Sequence, residues 1–91
     1  MNTYDLIRQA TCRTAIERYG GEAQKRMALE ELAELMVAIN HDLRGRDSNL
    51  EEEIADVEIM LEQLKMIDNC EGEVERIKRL KIERLKRRLE E

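Results

Sequence analysis

Residues 48–68, SNLEEEIADVEIMLEQLKMID, carry the hydrophobic pattern that decides the fold of this chain. Apolar side chains recur in this stretch at spacings of 4, 3, 4 and 3, namely Leu50, Ile54, Val57, Leu61 and Leu64. That spacing puts them on one side of an α-helix and is typical of a helix packed in a bundle. Ser48 or Asn49 is a suitable cap and acidic residues fill the first turn, so we expect a helix from there to about Asp68.

Glycines divide the rest of the chain into three further helical segments. We expect helix 1 from about Thr3 to Tyr19, capped by Asn2 or Thr3, helix 2 from about Glu22 to Leu43, and helix 4 from about Glu73 to Leu89. The breaks fall at Gly20-Gly21, at Arg44-Gly45-Arg46 and at Gly72. No segment alternates with the period of two that marks a strand, so we predict an all-α four-helix bundle with antiparallel neighbours.

Residues 1–91 are expected to form a single domain whose core is built from aliphatic side chains. The chain has no Trp or Phe, and we place its only aromatic residues, Tyr4 and Tyr19, in that core. A second stripe on helix 2 is also expected inside: Ala28, Leu32, Leu35, Met36, Ile39 and Leu43. So small a core favours completion by oligomerisation, and we expect a homodimer or homotetramer with the apolar side of helix 4 at or near the interface.

Charge and cysteine content limit the classes of function. Residues 30–62 hold eleven acids against two arginines, whereas the last sixteen residues hold eight of the sixteen Lys and Arg. The acidic middle argues against a nucleic-acid partner and is compatible with cation binding. Cys12 and Cys70 lack the spacing of a zinc or redox motif, and no apolar run is long enough to cross a membrane. We therefore expect a cytoplasmic protein with reduced thiols.

One carboxylate of residues 48–68 does not belong on a solvated face. With about 100° between successive residues, Glu53 falls between Met60 and Leu64 inside the apolar arc, and Asp56 lies at its edge. Burial of an unpaired carboxylate is unfavourable by several kcal/mol, so Glu53 needs a cation or must lose its charge. The outward acids of the same helix need no such explanation.

Helix 2 offers a second pair of acids, Glu31 and Glu34, at the border of its apolar arc. If helices 2 and 3 are antiparallel neighbours, both pairs converge on one point. A set of oxygen ligands without histidine favours Mg²⁺, with Mn²⁺ as the alternative, over zinc or iron. His41, the only histidine, is expected at the surface near the end of helix 2. Acids at this spacing also arise freely in Glu-rich helices that bind no metal.

These two motifs resemble those of a known enzyme family. Glu31-Leu-Ala-Glu34 and Glu53-Ile-Ala-Asp56 are similar to the ExxE and ExxD motifs of the MazG-like all-α nucleotide pyrophosphohydrolases, a group related to the dimeric dUTPases. The stretches 19–35 and 52–64 look like those of short phage and prophage members. The resemblance covers roughly residues 15–68 and extends more loosely into helix 4.

The resemblance implies a Mg²⁺-dependent enzyme that converts a nucleoside triphosphate into the monophosphate and pyrophosphate. It implies Glu31, Glu34, Glu53 and Asp56 as the metal ligands, with a water molecule attacking the α-phosphorus. Glu30 or Glu52 is then the residue that orients this water as a base, and the sequence does not choose between them.

The resemblance also implies residues that bind the substrate. Lys81, Arg84 and Arg88 lie within about 60° of one another on helix 4, where the family places cations for the phosphates. Leu85 stands where the family commonly has an Asn. Gln24 matches a recurring substrate-binding position. The alternative interpretations are a solvated basic face for helix 4 and an ordinary helix-surface glutamine for Gln24.

Two other functions fit the same residues. The chain is alternatively a non-enzymatic helical interaction module whose acids keep it in solution. It is also interpretable as a degenerate family member that binds a nucleotide or a metal without turnover. The first alternative accounts for the composition and the periodicity but leaves the position of Glu53 unexplained.

Overall fold

The computed structural model describes residues 1–91 and contains four α-helices and no strand. The helices are α1 (Thr3–Tyr19), α2 (Gly21–Leu43), α3 (Leu50–Ile67) and α4 (Glu71–Leu89). The prediction of an all-α protein with four helices is confirmed. None of these helices combines the length and the apolar character that a membrane span requires.

Helices α2 and α3 form the main packing pair, and the turn between them has a clear chemical cause. Gly45 adopts a left-handed conformation with φ of 69°, and the N–H of Arg46 donates to the carbonyl of His41 over 2.9 Å. This is the Schellman arrangement that ends a helix at a glycine. Asn49 caps α3, but its side chain makes no capping hydrogen bond.

The break between α3 and α4 is not where the glycine pattern predicted it. Asn69 has φ of 50° and ends α3, with the N–H of Cys70 donating to the carbonyl of Lys65 over 3.0 Å. Gly72 instead lies in the first turn of α4. The prediction of a break at Gly72 is wrong because asparagine also tolerates the left-handed conformation that a Schellman turn needs.

Helix α1 packs beside α3 and is tied to it by an ion pair. The guanidinium of Arg8 donates from Nε to Oε2 of Glu62 over 2.9 Å and from Nη1 to Asp5 over 2.6 Å. Cys12 is buried on the same helix. Tyr4 and Tyr19 are exposed, so the expectation that they belong to the core is wrong; the Tyr4 ring lies under the guanidinium of Arg8.

The buried core of the single chain is small and lies between α1, α2 and α3. Its members are Cys12, Gln24, Ala28, Ala38, Val57, Met60 and Gln63. Only part of the stripe predicted for helix 2 belongs to it: Ala28 is buried, but Leu32, Met36, Ile39 and Leu43 are exposed. The apolar arc of α2 is wider than the face that α3 covers, so most of that arc lies outside the core.

Every residue of α4 is exposed, and the helix comes close only to α3. It therefore adds little to the core of the single chain. The apolar residues of α4 remain in contact with solvent.

Candidate metal centre

A buried contact between two glutamines sets the register of α2 against α3. Nε2 of Gln24 donates to Oε1 of Gln63 over 2.7 Å, and both side chains are buried. Gly21 and Ile67 meet one turn before this contact, where a β-carbon at residue 21 would lie 3.1 Å from Cγ2 of Ile67. Since the residue numbers rise on one helix as they fall on the other, the pair is antiparallel.

The antiparallel register brings acids from both helices to one place. Glu31 and Glu34 of α2 meet Glu53 of α3, and each offers one carboxylate oxygen within 4.8 Å of the other two. Glu31 and Glu53 are half-buried and Glu34 is exposed. We call these three residues and the adjacent Asp56 the acidic cluster.

Two oxygens of the acidic cluster are buried without a hydrogen-bond partner: Oε2 of Glu31 and Oε2 of Glu53. Burial is the main factor that raises the pKa of both carboxyl groups, and the charges of Glu34 and Asp56 raise each pKa further. No basic residue forms an ion pair with these carboxylates. The ion pairs of the chain are made by other acids, such as Glu62, Asp68 and Glu73. The cluster thus concentrates negative charge in a partly desolvated place, which a bound cation would offset.

Asp56 and the two candidate bases are not among the three carboxylates that converge. The charge of Asp56 acts on both Glu31 and Glu53, and Asp56 is half-buried on α3. Glu52 is exposed, and its charge raises the pKa of Glu53. Glu30 is exposed on α2 beside Glu31. Glu52 and Glu30 are thus both exposed neighbours in sequence of a cluster residue, and their positions do not choose between them as the base.

The donor set of the cluster fits a small, hard cation. Mg²⁺ binds oxygen ligands at about 2.0–2.1 Å, so two ligands on opposite sides of the ion lie roughly 4.2 Å apart. Neighbouring ligands of the same octahedral ion lie roughly 3 Å apart. The carboxylate oxygens of Glu31, Glu34 and Glu53 lie within 4.8 Å of one another, so they would have to move closer together around a bound ion.

A cleft of about 550 Å³ opens beside the cluster at the turn between α2 and α3. Its lining residues are Ala33, Glu34, Val37, Ala38, His41, Asp47, Ser48, Asn49 and Glu53. The volume is in the range of small-molecule sites. An apolar wall from α2 faces polar groups at the start of α3, so the cleft is able to hold a mixed polar and apolar ligand next to the acids.

His41 belongs to this cleft, which the sequence interpretation missed. It is half-buried rather than fully at the surface. The spacing of Glu34, Ala38 and His41, four and then three residues, was the available signal, because it puts all three on one side of α2.

The structure does not bring all of the predicted substrate-binding residues to the cluster. Gln24 is buried against Gln63, so the interpretation of it as a helix-surface residue is wrong, and it does not line the cleft. Lys81, Arg84 and Arg88 lie on α4, which does not come close to α2 within one chain. The acids converge, whereas the basic residues of α4 remain apart from them.

Comparison of the chain with protein-family models, with curated proteins and with solved structures finds no match.

Proposed function

We propose that the chain is a Mg²⁺-dependent nucleotide pyrophosphohydrolase that converts a ribo- or deoxyribonucleoside triphosphate into the monophosphate and pyrophosphate. The observation that supports this best is the convergence of Glu31, Glu34 and Glu53, with two buried carboxylate oxygens that lack any partner. The similarity of the two acidic motifs to those of the MazG-like family adds the reaction class. We place the enzyme in the cytoplasm and expect it to act as a homodimer or homotetramer.

In this proposal the acidic cluster holds Mg²⁺, or Mn²⁺ in its place. Glu31, Glu34, Glu53 and Asp56 supply the carboxylate oxygens. The ion supplies charge neutralisation for the phosphates and lowers the pKa of a bound water.

The residues around the cluster orient the reactants. Glu52 or Glu30 accepts a proton from the attacking water. The cleft next to Glu34 and Glu53 holds the part of the substrate beyond the phosphates, and His41 lines it. Lys81, Arg84 and Arg88 bind the phosphates if substrate binding or a second chain brings α4 to the cluster.

The direct test is pyrophosphate release from each NTP and dNTP, with and without Mg²⁺. The proposal predicts Mg²⁺-dependent release for at least one substrate and none after Glu53→Gln. Absence of turnover for every substrate under conditions in which Mg²⁺ demonstrably binds would contradict it.

A second candidate is a metal- or nucleotide-binding protein without turnover. The observation that favours it is the separation of the basic residues of α4 from the acidic cluster within one chain. Mn²⁺ and nucleotide binding measured by calorimetry separates the two functions, because this candidate predicts binding without product. A purely structural interaction module predicts neither.

A further inference from the structure

The C-terminal part of α4 differs in charge from the rest of the chain. Residues 76–89 hold eight Lys and Arg and a single acid, Glu83, whereas the other residues of the chain hold eight Lys and Arg against twenty Asp and Glu. All residues of 76–89 are exposed, and the helix comes close only to α3. An acidic protein thus carries one accessible, strongly basic helix.

Most of these cations have no acidic partner within the chain. The ion pairs of α4 lie in its first half, where Glu73 and Glu75 contact the basic residues before position 80. Five unpaired cations follow: Lys81, Arg84, Lys86, Arg87 and Arg88. The helix dipole favours cations in the last turn only, so it does not account for Lys81 and Arg84. These two residues also repel each other across one turn, which an anionic partner would relieve.

The same part of α4 carries an exposed apolar strip. Ile82, Leu85 and Leu89, here called the α4 strip, lie within about 60° of one another around the helix. Their exposed fractions are 58%, 43% and 76%. The three side chains line one shallow depression of the surface together with Lys86. The α4 strip is therefore continuous, and no other element of the chain covers it.

Cations border the α4 strip on both sides. Lys86 lies about 40° beyond Ile82, and Lys81 lies about 40° beyond Leu85 in the other direction. Lysine stems are able to lie along an apolar surface while their ammonium groups stay at its polar border. A basic helix with a narrow apolar strip is typical of helices that lie in the plane of a membrane surface. Such a helix does not need the length and apolar character of a membrane span, which α4 lacks.

We propose that the C-terminal part of α4 docks on an anionic lipid surface, with the α4 strip at the boundary of the acyl chains and Lys81 and Lys86 on the lipid headgroups. Charge complementarity selects the occupant, because the bordering cations match a negatively charged surface on both sides of the strip. The proposal is independent of any enzymatic activity. A chain whose α4 is covered by a second copy would not bind lipid.

The apolar strip favours lipid over nucleic acid as the partner. A nucleic acid would engage the cations through its phosphates, but it would leave Ile82, Leu85 and Leu89 exposed to water. Helix α4 has no aromatic residue on which a base could stack. A lipid surface uses the cations and the apolar strip together.

Co-sedimentation of the full chain with lipid vesicles tests the proposal. We expect binding to vesicles of equimolar phosphatidylserine and phosphatidylcholine that weakens as salt is added, and much weaker binding to phosphatidylcholine alone. Lys86→Glu should weaken binding about 10–30-fold. Arg87→Glu changes the net charge equally but lies about 160° around the helix from Leu89, so it should weaken binding no more than about 3-fold.

A second pair of variants tests the contribution of the strip without changing any charge. Leu85→Ser should weaken vesicle binding about 10-fold, whereas Leu80→Ser, about 180° around the helix from Leu89, should leave it unchanged. Circular dichroism should show the same helical content in all variants, since both leucines are exposed. Failure of wild type to bind phosphatidylserine vesicles, or equal effects within either pair, overturns the proposal. Binding to duplex DNA without binding to vesicles would identify a nucleic-acid partner and also overturn it.

Discussion

Gln24 and Gln63 join α2 to α3 through one buried hydrogen bond of 2.7 Å, and this contact determines which carboxylates meet. Seven residues farther on α2 is Glu31, and seven residues back on α3 is Asp56, two helical turns or about 10.5 Å away. Three more residues along each helix lead to Glu34 and Glu53. The glutamine pair therefore holds the register in which the acidic cluster forms.

The first prediction concerns this pair. Gln24→Leu leaves the amide oxygen of Gln63 buried without a donor, so the free energy of unfolding should fall by about 1–3 kcal/mol. The double change Gln24→Leu with Gln63→Leu removes both polar groups and should be less destabilising than the single change. Urea denaturation followed by circular dichroism measures this, and strictly additive losses would contradict the coupling.

The second prediction concerns Glu53 and Mg²⁺. A ligand present at one hundred times its Kd stabilises the folded state by about 2.7 kcal/mol. For a domain of this size that corresponds to a rise in Tm of roughly 10–20 °C. Glu53→Gln keeps the shape of the side chain but removes a ligand charge, so it should reduce the rise in Tm and abolish pyrophosphate release. The melting temperature with and without Mg²⁺ measures the effect.

The matched control for this experiment is Glu58→Gln on the same helix. Glu58 is exposed and lies outside the acidic cluster, so its variant should retain the full response to Mg²⁺. If wild type and both variants respond equally, the assignment of Glu53 as a ligand is wrong.

The third prediction concerns pH in the absence of metal. Burial and the neighbouring acids raise the pKa of Glu31 and Glu53, so the folded state binds protons more tightly there than the unfolded state. The contribution of these groups to stability is therefore largest below the ordinary glutamate pKa and falls as pH rises through the raised values. Glu73, whose pKa is lowered by Arg76, acts in the opposite direction.

The difference in unfolding free energy between wild type and Glu53→Gln isolates the effect, since Glu73 is common to both. Glu53→Gln should become relatively more stable as pH rises from about 4 to 8, with the ordinary glutamate pKa near the start of this window. Saturating Mg²⁺ should remove that advantage. A difference that does not change with pH would show that Glu53 is solvated.

The fourth prediction concerns the basic residues of α4. If Arg84 binds a phosphate, Arg84→Ala should raise KM by about 10–100-fold, the range expected for a charge-assisted hydrogen bond. The helical content should not change, because Arg84 is exposed. Arg79→Ala, on the same helix but about 140° around from Arg84, is the control. Steady-state kinetics with equal KM for all three proteins would identify α4 as a solvated basic face.

The fifth prediction concerns His41 in the cleft. His41→Ala should raise KM several-fold while leaving the affinity for Mn²⁺ unchanged, because the imidazole lines the cleft but is not a member of the acidic cluster. Asn40→Ala, at the neighbouring exposed position, is the control. A loss of Mn²⁺ affinity in His41→Ala would show instead that the histidine supports the metal site.

Much of the fold follows from local sequence signals. The helix predicted over 48–68, the cap at Asn2 and the turn at Gly45 each depend on chemistry within a few residues of the chain, and the structure agrees with all three. The structure does not bury the whole apolar stripe of that helix, because Ile54 and Leu61 are exposed. The prediction at Gly72 failed because two residue types are able to make the same left-handed turn. Local patterns identify where a turn is permitted, and Asn69 shows that a permitted turn need not be at a glycine.

The position of Glu53 illustrates what the sequence by itself determined and what only the tertiary structure decided. Periodicity alone put this carboxylate among apolar neighbours, since that depends only on the geometry of one helix. The proximity of Glu53 to Glu31 and Glu34 depends on the register of two helices, which the buried contact of Gln24 with Gln63 sets across 39 residues of sequence. The sequence likewise left open which face of α2 meets α3. The apolar arc of α2 is wider than the face that one helix covers, so only the packing of α2 against α3 decides which part of the arc is buried.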